Sequence, residues 1–432
     1  MTHIRERRLR LAAVPDAPGT VLTLRDLNRA TLARQMLLAR ERVEPLPAIE
    51  RLAGLQAQLA RPPHVSLWSR LEGFTRAELL ALLRDRKAVR GSLMRGTLHV
   101  VSAADFLELR PALQPMLSKG TLAVLRERAK GIDFDDITAI ARRCLADGPR
   151  TFDEIRDALV AVHPESDHRA MGFIARMSIP LVQVPTDDTW GYPSSPRFAL
   201  AETWLGKKVA SDPPATGLVL RYLAAFGPGA ASDVETWSGM RGLKEVVESL
   251  RPKLVSLRDE RKREIFDLPK APRPPADTPA PVRFLPDFDN LVMAHADRRR
   301  FLADAHRRQV YLPGLRLAPT LLVDGFVAAT WGVTRAKGTA TLTVDAFEPL
   351  SKKVQAEAAA EGERLLHFVE PEAKAFDVAF ANASAAKATA PKAKAPAPKA
   401  KAPTTKAPAP KVKAPAPKAK ASAARAQRPK KA

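Results

Sequence analysis

The sequence predicts a multidomain α+β protein in which a group of helices followed by a β-hairpin occurs three times. Helical spacing of apolar residues gives way to paired β-type segments in three successive stretches between residues 21 and 268. This order is typical of winged-helix modules, in which a hairpin follows a helix-turn-helix. Beyond residue 281 short β-type segments dominate, and they predict a small β-barrel or curled sheet.

Composition narrows the class of protein. The chain has 432 residues, 45% of them hydrophobic, and a formal net charge of +23. This charge favours a polyanionic partner, with nucleic acid first and an acidic membrane surface second. The single cysteine, Cys144, excludes a disulfide framework and Cys-rich zinc fingers. The sequence contains neither an apolar run of about 18 residues nor a secretory signal, so we expect a cytoplasmic, nucleoid-associated protein without a membrane partner.

The first helix–hairpin unit carries several local signals. We expect helices over residues 24–38, 43–60, 64–74 and 76–86, and strands over 88–94 and 97–101. Thr23 or Asp26 is positioned to cap the first helix, and Thr75 with Glu78 has the spacing of a capping box. The helix over 43–60 is expected to end before Pro62 because proline disfavours a helical residue before it.

The second and third units repeat the pattern. Two helices flank the turn Asp147-Gly148-Pro149, with Thr151 and Glu154 as another capping box, and residues 179–186 and 188–195 are expected to pair as strands. In the third unit, helices over 218–228, 231–240 and 242–250 precede a hairpin over 254–269 with a charged tip. A helix over 352–369 ends the folded part.

These patterns give a domain division. We expect a flexible N-terminus (1–20), three winged-helix modules (21–125, 126–210 and 211–268), a Pro-rich linker (269–281), a β-barrel-like domain with a C-terminal helix (282–380) and a disordered tail (381–432).

The tail differs in composition from the rest of the chain. Residues 381–432 carry 14 Lys plus Arg and no acidic residue, so they hold +14 of the net charge and leave +9 on the first 380 residues. The segment is rich in Lys, Ala and Pro, resembles linker-histone tails, and is expected to be disordered. Its lysines can neutralise DNA phosphates without reading bases, and we select four as DNA contacts: Lys392, Lys394, Lys399 and Lys401. The alternative is a solubilising extension.

Motifs for nucleophilic or metal-dependent chemistry are mostly absent. The sequence has no GxSxG, HExxH, Walker A or GxGxxG pattern, so we expect neither a metal nor a cofactor. Asp287 and Asp289 form a carboxylate pair in FLPDFDN, but no acid/base partner is evident, and a turn or surface role is the simpler interpretation.

Five segments together resemble a bacterial family of winged-helix DNA glycosylases typified by AlkZ and YcaQ. The resemblance covers roughly residues 20–375. It is carried by LAGLQAQLARPPHVSLWSR, RGSLMRGTLHVV, FGPGAASDVETWSGM, PDFDNLVMAHADR and LLVDGFVAATW. It implies three winged-helix modules and a C-terminal β-barrel arranged to hold duplex DNA.

The resemblance also implies a catalytic pair. The family signature is Gln-x-Gln or Gln-x-Asp, and here it is Gln56-Ala57-Gln58, of the AlkZ-like form. In a regular helix residues i and i+2 point about 200° apart, so the two amides share a site only if the helix loosens before Pro62. Without the resemblance, the same residues are two surface glutamines at a helix C-terminus.

The implied activity is hydrolysis of the N-glycosidic bond of N-alkylated, cationic purines in duplex DNA, including bulky or crosslinking adducts. Such a base leaves as a neutral molecule, so amides that orient water can suffice without a general acid. No catalytic lysine is evident, which predicts a monofunctional glycosylase. We also expect a monomer, since nothing in the sequence suggests a dimerisation helix. The alternative is a non-catalytic winged-helix nucleoid or regulatory protein.

Residues near the signature are candidates for DNA contact. Arg61 follows the glutamine pair, Arg90 and Arg95 flank the first hairpin, and Thr97 and His99 lie on its second strand. A hairpin wing would present these side chains to phosphates or a groove. The alternative is that the arginines are solvated and His99 packs against the helices.

Overall fold

Short strands and helices alternate in the N-terminal stretch of the protein. The structure is a computed structural model that describes residues 20–211 and 213–381. Elements up to Ser102 are β1 (Val21–Leu22), α1 (Leu24–Arg34), α2 (Pro45–Arg51), β2 (Leu55–Gln56), α3 (Pro62–Arg70), α4 (Arg76–Arg84), β3 (Ala88–Ser92) and β4 (Leu98–Ser102). Of the two predicted caps, Thr23 is the one observed, and it forms a capping box: Asp26 accepts from the Thr23 N–H at 2.9 Å, and the Asp26 N–H donates to the Thr23 hydroxyl. Glu78 likewise accepts from the Thr75 N–H.

The second stretch is more helical than predicted. Its elements are α5 (Ala103–Ala112), α6 (Gln114–Leu125), α7 (Phe134–Ala146), β5 (Arg150–Thr151), α8 (Phe152–Val162), α9 (His168–Ser178), β6 (Leu181–Gln183), β7 (Arg197–Leu200) and α10 (Ala201–Leu205). The predicted strand over 188–195 is wrong, because β6 pairs with β7 instead. The Gly191 N–H donates to the Asp188 carbonyl at 2.8 Å, so this segment forms a turn.

The third stretch agrees with its prediction. It comprises α11 (Ala215–Phe226), α12 (Ala231–Ser238), α13 (Lys244–Ser249), β8 (Val255–Asp259) and β9 (Glu264–Asp267). Strands β8 and β9 form the predicted hairpin, and β1 joins it in parallel as a third strand. The Pro-rich segment that follows packs against α1, since Arg29 Nε donates to the Thr278 carbonyl at 2.7 Å.

One topology occurs three times in these stretches. Each occurrence consists of a helix, a short extended segment, two helices and two strands, in that order. The first is α2-β2-α3-α4-β3-β4 and the second is α7-β5-α8-α9-β6-β7. The third is α11, Gly229, α12, α13, β8 and β9. In each case the short segment pairs with the last strand: β2 with β4, β5 with β7, and Gly229 with Phe266 on β9. The three groups therefore share a connectivity and not only an order of elements.

The first two hairpins join into one sheet. Strand β3 pairs with β6, so six strands lie in the order β2-β4-β3-β6-β7-β5. The contact requires Gly91, because a Cβ there would lie 2.5 Å from the Phe106 ring and 2.8 Å from the Leu181 carbonyl oxygen. Both edges of the β3–β4 hairpin are thus covered, and it is not the free wing that the sequence predicts.

The C-terminal region is an open sheet. Its elements are β10 (Arg283–Leu285), α14 (Asn290–Met293), α15 (Arg307–Val310), β11 (Tyr311–Leu312), β12 (Arg316–Leu317), β13 (Thr320–Val323), β14 (Phe326–Ala336), β15 (Thr339–Ala346), α16 (Lys352–Val369) and β16 (Ala375–Ala381). The order is β10-β13-β14-β15-β16, and the edge strands β10 and β16 do not pair with each other. The predicted closed barrel is therefore wrong for the described residues. The crossover helix α16 makes β15 and β16 parallel and covers the sheet, so closure is not needed to bury it.

Some of the predictions lie outside or at the limit of the described residues. The flexible N-terminus and the tail, including Lys392, Lys394, Lys399 and Lys401, lie outside them. Strand β16 continues through Ala381, so the predicted tail boundary is one residue early. No helix in the described ranges is both long and apolar enough to cross a membrane.

Candidate active site

The glutamine pair lies on an extended segment and not on a helix. Helix α2 ends at Arg51, and Ala53 (φ 53°) and Gly54 (φ 88°) then turn the chain into β2. A Cβ at Gly54 would lie 2.6 Å from Val101, so this turn requires glycine for space as well as for φ. The predicted helix over 43–60 is therefore wrong in its second half.

Pairing with β4 fixes the backbone of the glutamine segment and the carboxamide of Gln58. Gln56 lies opposite His99 in the ladder, and the Ala57 N–H donates to the Leu98 carbonyl at 2.7 Å. The Leu98 N–H donates back to Oε1 of Gln58 at 2.8 Å, so the Gln58 side chain takes a place in the ladder. The segment is extended, so the departure from a regular helix that the sequence requires for a shared site is present, and that both amides serve one site stays a prediction.

Arg95 links the first glutamine to the C-terminal region. Its Nη2 donates to Oε1 of Gln56 at 2.6 Å and to Oδ1 of Asn290 at 3.0 Å, and its Nη1 donates to the Trp237 carbonyl. Asn290 in turn donates to the Gly54 carbonyl at 3.1 Å. Burial lowers the pKa of Arg95 to about 10, so the guanidinium stays charged at neutral pH. The cation holds one carboxamide in a single orientation.

A narrow cavity opens between the glutamine segment, the start of α3 and the loop before α14. The side chains of Gln56, Pro62, Asp287 and Asn290 line it together. Because the glutamine segment and the loop before α14 lie more than 220 positions apart in sequence, the cavity exists only in the folded chain. Within the described ranges, no group of three or more His, Cys, Asp or Glu side chains is placed to hold a metal ion.

The two aspartates of FLPDFDN have different surroundings. Asp289 is buried, accepts from Arg70 Nη1 at 3.0 Å and Nη2 at 2.9 Å, and caps α14, so of the predicted turn or surface role the surface part is wrong for it. Asp287 lies 4.0 Å from Nη2 of Arg61, and its side chain is 23% exposed. Phe288 between them has φ 60°. The Asp289 carboxylate is therefore committed to a buried ion pair, while Asp287 faces the cavity.

Two of the predicted DNA contacts are interior residues. Arg90 is buried and donates to the Ala57 carbonyl at 2.9 Å and the Gln58 carbonyl at 3.3 Å, so it supports the backbone of the glutamine segment. His99 is fully buried with Nδ1 3.0 Å from the Thr97 carbonyl, and burial lowers its pKa to about 3, which keeps it neutral. Neither side chain has the surface position that the free-wing prediction assumed, because β2 and β6 cover the hairpin.

The remaining predicted contacts are half-exposed. Arg61 lies at the start of α3 beside the cavity, and the Thr97 hydroxyl donates to the Met94 carbonyl at 3.0 Å. Arg95 is predicted as a DNA contact, yet its observed hydrogen bonds go to the protein. Asn290 was missed by sequence reasoning, although it belongs to the PDFDN segment that carries part of the resemblance.

Comparison with known proteins identifies the family. The model of AlkZ-like DNA glycosylases matches residues 49–368, which include the glutamine pair and the aspartate loop. The chain belongs to the AlkZ-like DNA glycosylase family. It is thus a DNA repair glycosylase, and the non-catalytic alternative is not supported.

A curated relative and a solved structure are similar to this glycosylase. The relative is an interstrand DNA cross-link repair glycosylase of Streptomyces sahachiroi, 23% identical over 352 residues that cover 76% of this chain and 92% of the relative. The structure is the DNA glycosylase AlkZ of the same organism, with a TM-score of 0.70, 19% identity, and coverage of 84% of this chain and all of that one. At this identity the structural likeness establishes the fold. The mixed α+β architecture of this glycosylase is that of AlkZ.

Proposed function

We propose that this glycosylase hydrolyses the N-glycosidic bond of N-alkylated purines in duplex DNA, including bulky and crosslinking adducts. The observation that carries the proposal is the placement of Gln56, which is held by Arg95 and lines the cavity, two positions before Gln58 on the same extended segment. The curated relative, named for interstrand cross-link repair, supports the crosslinking part of the substrate range.

The chemistry follows from what two amides can do. A glutamine does not accept a proton at neutral pH, but its oxygen has two lone pairs and its nitrogen two donors. In each carboxamide one lone pair of the oxygen is engaged by a protein N–H, which leaves the second lone pair for a water molecule. An alkylated purine is already cationic, so it leaves as a neutral base once water is oriented at C1′. We infer that neutral bases such as uracil are poor substrates.

The proposed product is an abasic site with an intact strand. The lysine nearest the pair in sequence is Lys87, an exposed residue whose Nζ lies 3.4 Å from Asp85. It is not among the residues that line the cavity. We therefore propose a monofunctional enzyme that requires no lyase step. We also propose that it acts as a monomer.

We further propose that the three groups of shared connectivity are winged-helix modules with the boundaries expected from sequence. Their helix–strand–helix–helix–strand–strand order, with the first strand paired to the last, supports this interpretation. Arg61 and Thr97, which remain half-exposed, are proposed as DNA contacts.

A gel assay tests the function directly. We expect the enzyme to generate abasic sites in a duplex containing 7-methylguanine, in the presence of EDTA, with strand breaks only after alkali or heat. A uracil-containing duplex is the matched control and should remain intact. Absence of abasic sites in every alkylated duplex, including a crosslinked one, would end the proposal.

Replacing Arg95 with lysine is expected to lower the single-turnover rate at saturating enzyme by about 10- to 100-fold, the equivalent of a charge-assisted hydrogen bond of about 1.5–3 kcal/mol. A lysine ammonium lacks the planar fork that holds Gln56, Asn290 and a carbonyl together. Arg86→Lys is the matched control: Arg86 (φ 59°) has a positive φ as Arg95 does (φ 56°), and it donates to a tryptophan carbonyl, that of Trp204. A wild-type rate for Arg95→Lys would show that catalysis does not depend on Arg95 holding Gln56.

We propose that the basic tail holds the enzyme on DNA and associates it with the nucleoid. Deleting residues 382–432 should weaken duplex binding and flatten its salt dependence, by about 0.9 in log–log slope for each phosphate that the tail neutralises. Base release at saturating enzyme should stay near normal. A Gly/Ser segment of equal length is the control for chain length, and an unchanged salt slope would favour the solubilising alternative.

A further inference from the structure

We propose that Asp287 is a third catalytic residue, whose carboxylate accepts a proton from the water that attacks C1′. The inference rests on the proposed function, since it assigns a base to the same hydrolysis. Its starting observation is that Asp287 lines one cavity with Gln56 and Asn290.

The charges around the cavity single out this carboxylate. Asp289, which also lines it, is neutralised by two hydrogen bonds from the buried Arg70. The Arg95 cation engages Gln56 and Asn290. The ion pair of Asp287 is longer, because Nη2 of Arg61 is 4.0 Å from its Oδ2. It is therefore the acidic side chain of this cavity that can face a positively charged sugar.

The proposed step balances without a further reactant. The C1′–N9 bond breaks and its electron pair passes to the cationic purine, which leaves neutral. The water oxygen bonds to C1′, and its proton passes to Asp287 and then to solvent. The two glutamines orient the water, while the carboxylate supplies the basicity that amides lack.

Electrostatics gives the step a pH dependence. Burial raises the pKa of Asp287 above its ordinary value, while the Arg61 cation opposes the rise. The other charged groups lining the cavity, Arg70 and Asp289, form an ion pair with each other. A base must be deprotonated, so the rate should fall as the pH drops through this raised pKa.

The test compares Asp287→Asn with the wild-type enzyme in single-turnover release of 7-methylguanine from pH 4.5 to 8, with spontaneous release subtracted. We expect the substitution to lower the maximal rate at high pH by about 100-fold or more. It should also remove the acid limb of the profile, which is the fall in rate toward low pH. Duplex affinity should be retained, and Asp287→Glu should restore part of the rate and the limb. Arg61→Gln should move the limb to higher pH, because it removes the cation that favours the carboxylate.

The outcomes separate this inference from the function. If Asp287→Asn keeps the wild-type rate and acid limb, or if the wild-type enzyme shows no acid limb, the inference is wrong and the glycosylase assignment stands. If the wild-type enzyme releases no base from any alkylated duplex, the proposed function itself fails. Far-UV circular dichroism checks the folding of each variant, and the wild-type pH profile is informative without any variant.

Discussion

Replacing Gln56 and Gln58 together with alanine is expected to lower base release from alkylated duplex by about 1,000-fold or more, the scale set by loss of oriented polar groups in an active site. Gln58 is exposed. Gln56 is held by Arg95, and in the double variant Arg95 keeps Asn290 and the Trp237 carbonyl as hydrogen-bond partners. The fold should therefore tolerate the change. Single-turnover kinetics and a binding titration with undamaged duplex measure the two effects separately.

Gln355→Ala is the matched control for this double variant. Gln355 is a half-buried glutamine on α16 whose Nε2 donates to the Leu350 carbonyl at 2.8 Å, and it does not line the cavity. It should release base at the wild-type rate. Unchanged release by the double variant would mean that the signature carries no catalysis, whereas loss of release together with loss of duplex affinity would assign the pair to binding.

Replacing Asp289 with alanine is expected to lower the free energy of unfolding by about 3–5 kcal/mol. Both members of the Arg70–Asp289 pair are almost completely buried, so the substitution leaves a guanidinium in the interior without its counterion. Asp289 also accepts from the Ser66 hydroxyl at 3.2 Å and the Leu291 N–H at 3.0 Å, and the substitution removes both bonds. Denaturant titration followed by circular dichroism measures the change.

Glu72→Ala provides the control for the same type of ion pair at the surface. Glu72 accepts from Nε and Nη2 of Arg42 at 2.9 Å each, which is also a bidentate pair, but both side chains are more than half exposed. Solvent screens such a pair, so no measurable change in the unfolding midpoint is expected. If Glu72→Ala and Asp289→Ala lowered the free energy of unfolding equally, burial would not be what makes the Arg70–Asp289 pair important for stability.

The Asp289 substitution also tests how stability and activity are connected in this fold. The Asp289 side chain accepts the N–H of Leu291 in the first turn of α14, and Asn290 in the same turn contacts Arg95. Loosening this turn should release Arg95 and, through it, Gln56. The variant is therefore expected to lose activity below its unfolding transition, although Asp289 itself contacts no reacting atom.

The sequence correctly predicted those helix starts and bounds that depend on residues only a few positions apart. The pairs Thr75 with Glu78 and Thr151 with Glu154 form the predicted helix starts, and the helix over 352–369 has the predicted bounds. A capping box requires side chains only three positions apart, so no distant contact is needed to specify it. The family resemblance, which depends on short segments and their order, was established from the sequence for the same reason.

Tertiary contacts decided everything that depends on pairing between distant segments. The turn at Gly54 and the ladder with β4 place Gln56 on a strand, although its neighbours in sequence have helical spacing. The same holds for the open C-terminal sheet, for the joined hairpins and for the cavity lined by both Gln56 and Asp287. In each case the residues brought together are tens to hundreds of positions apart in sequence. Periodicity in a sequence states which face of a segment is apolar, but not which other segment covers it. Only the folded chain, in which each of these segments packs against the strand or helix that covers it, determines that Gln56 and the aspartate loop share one cavity.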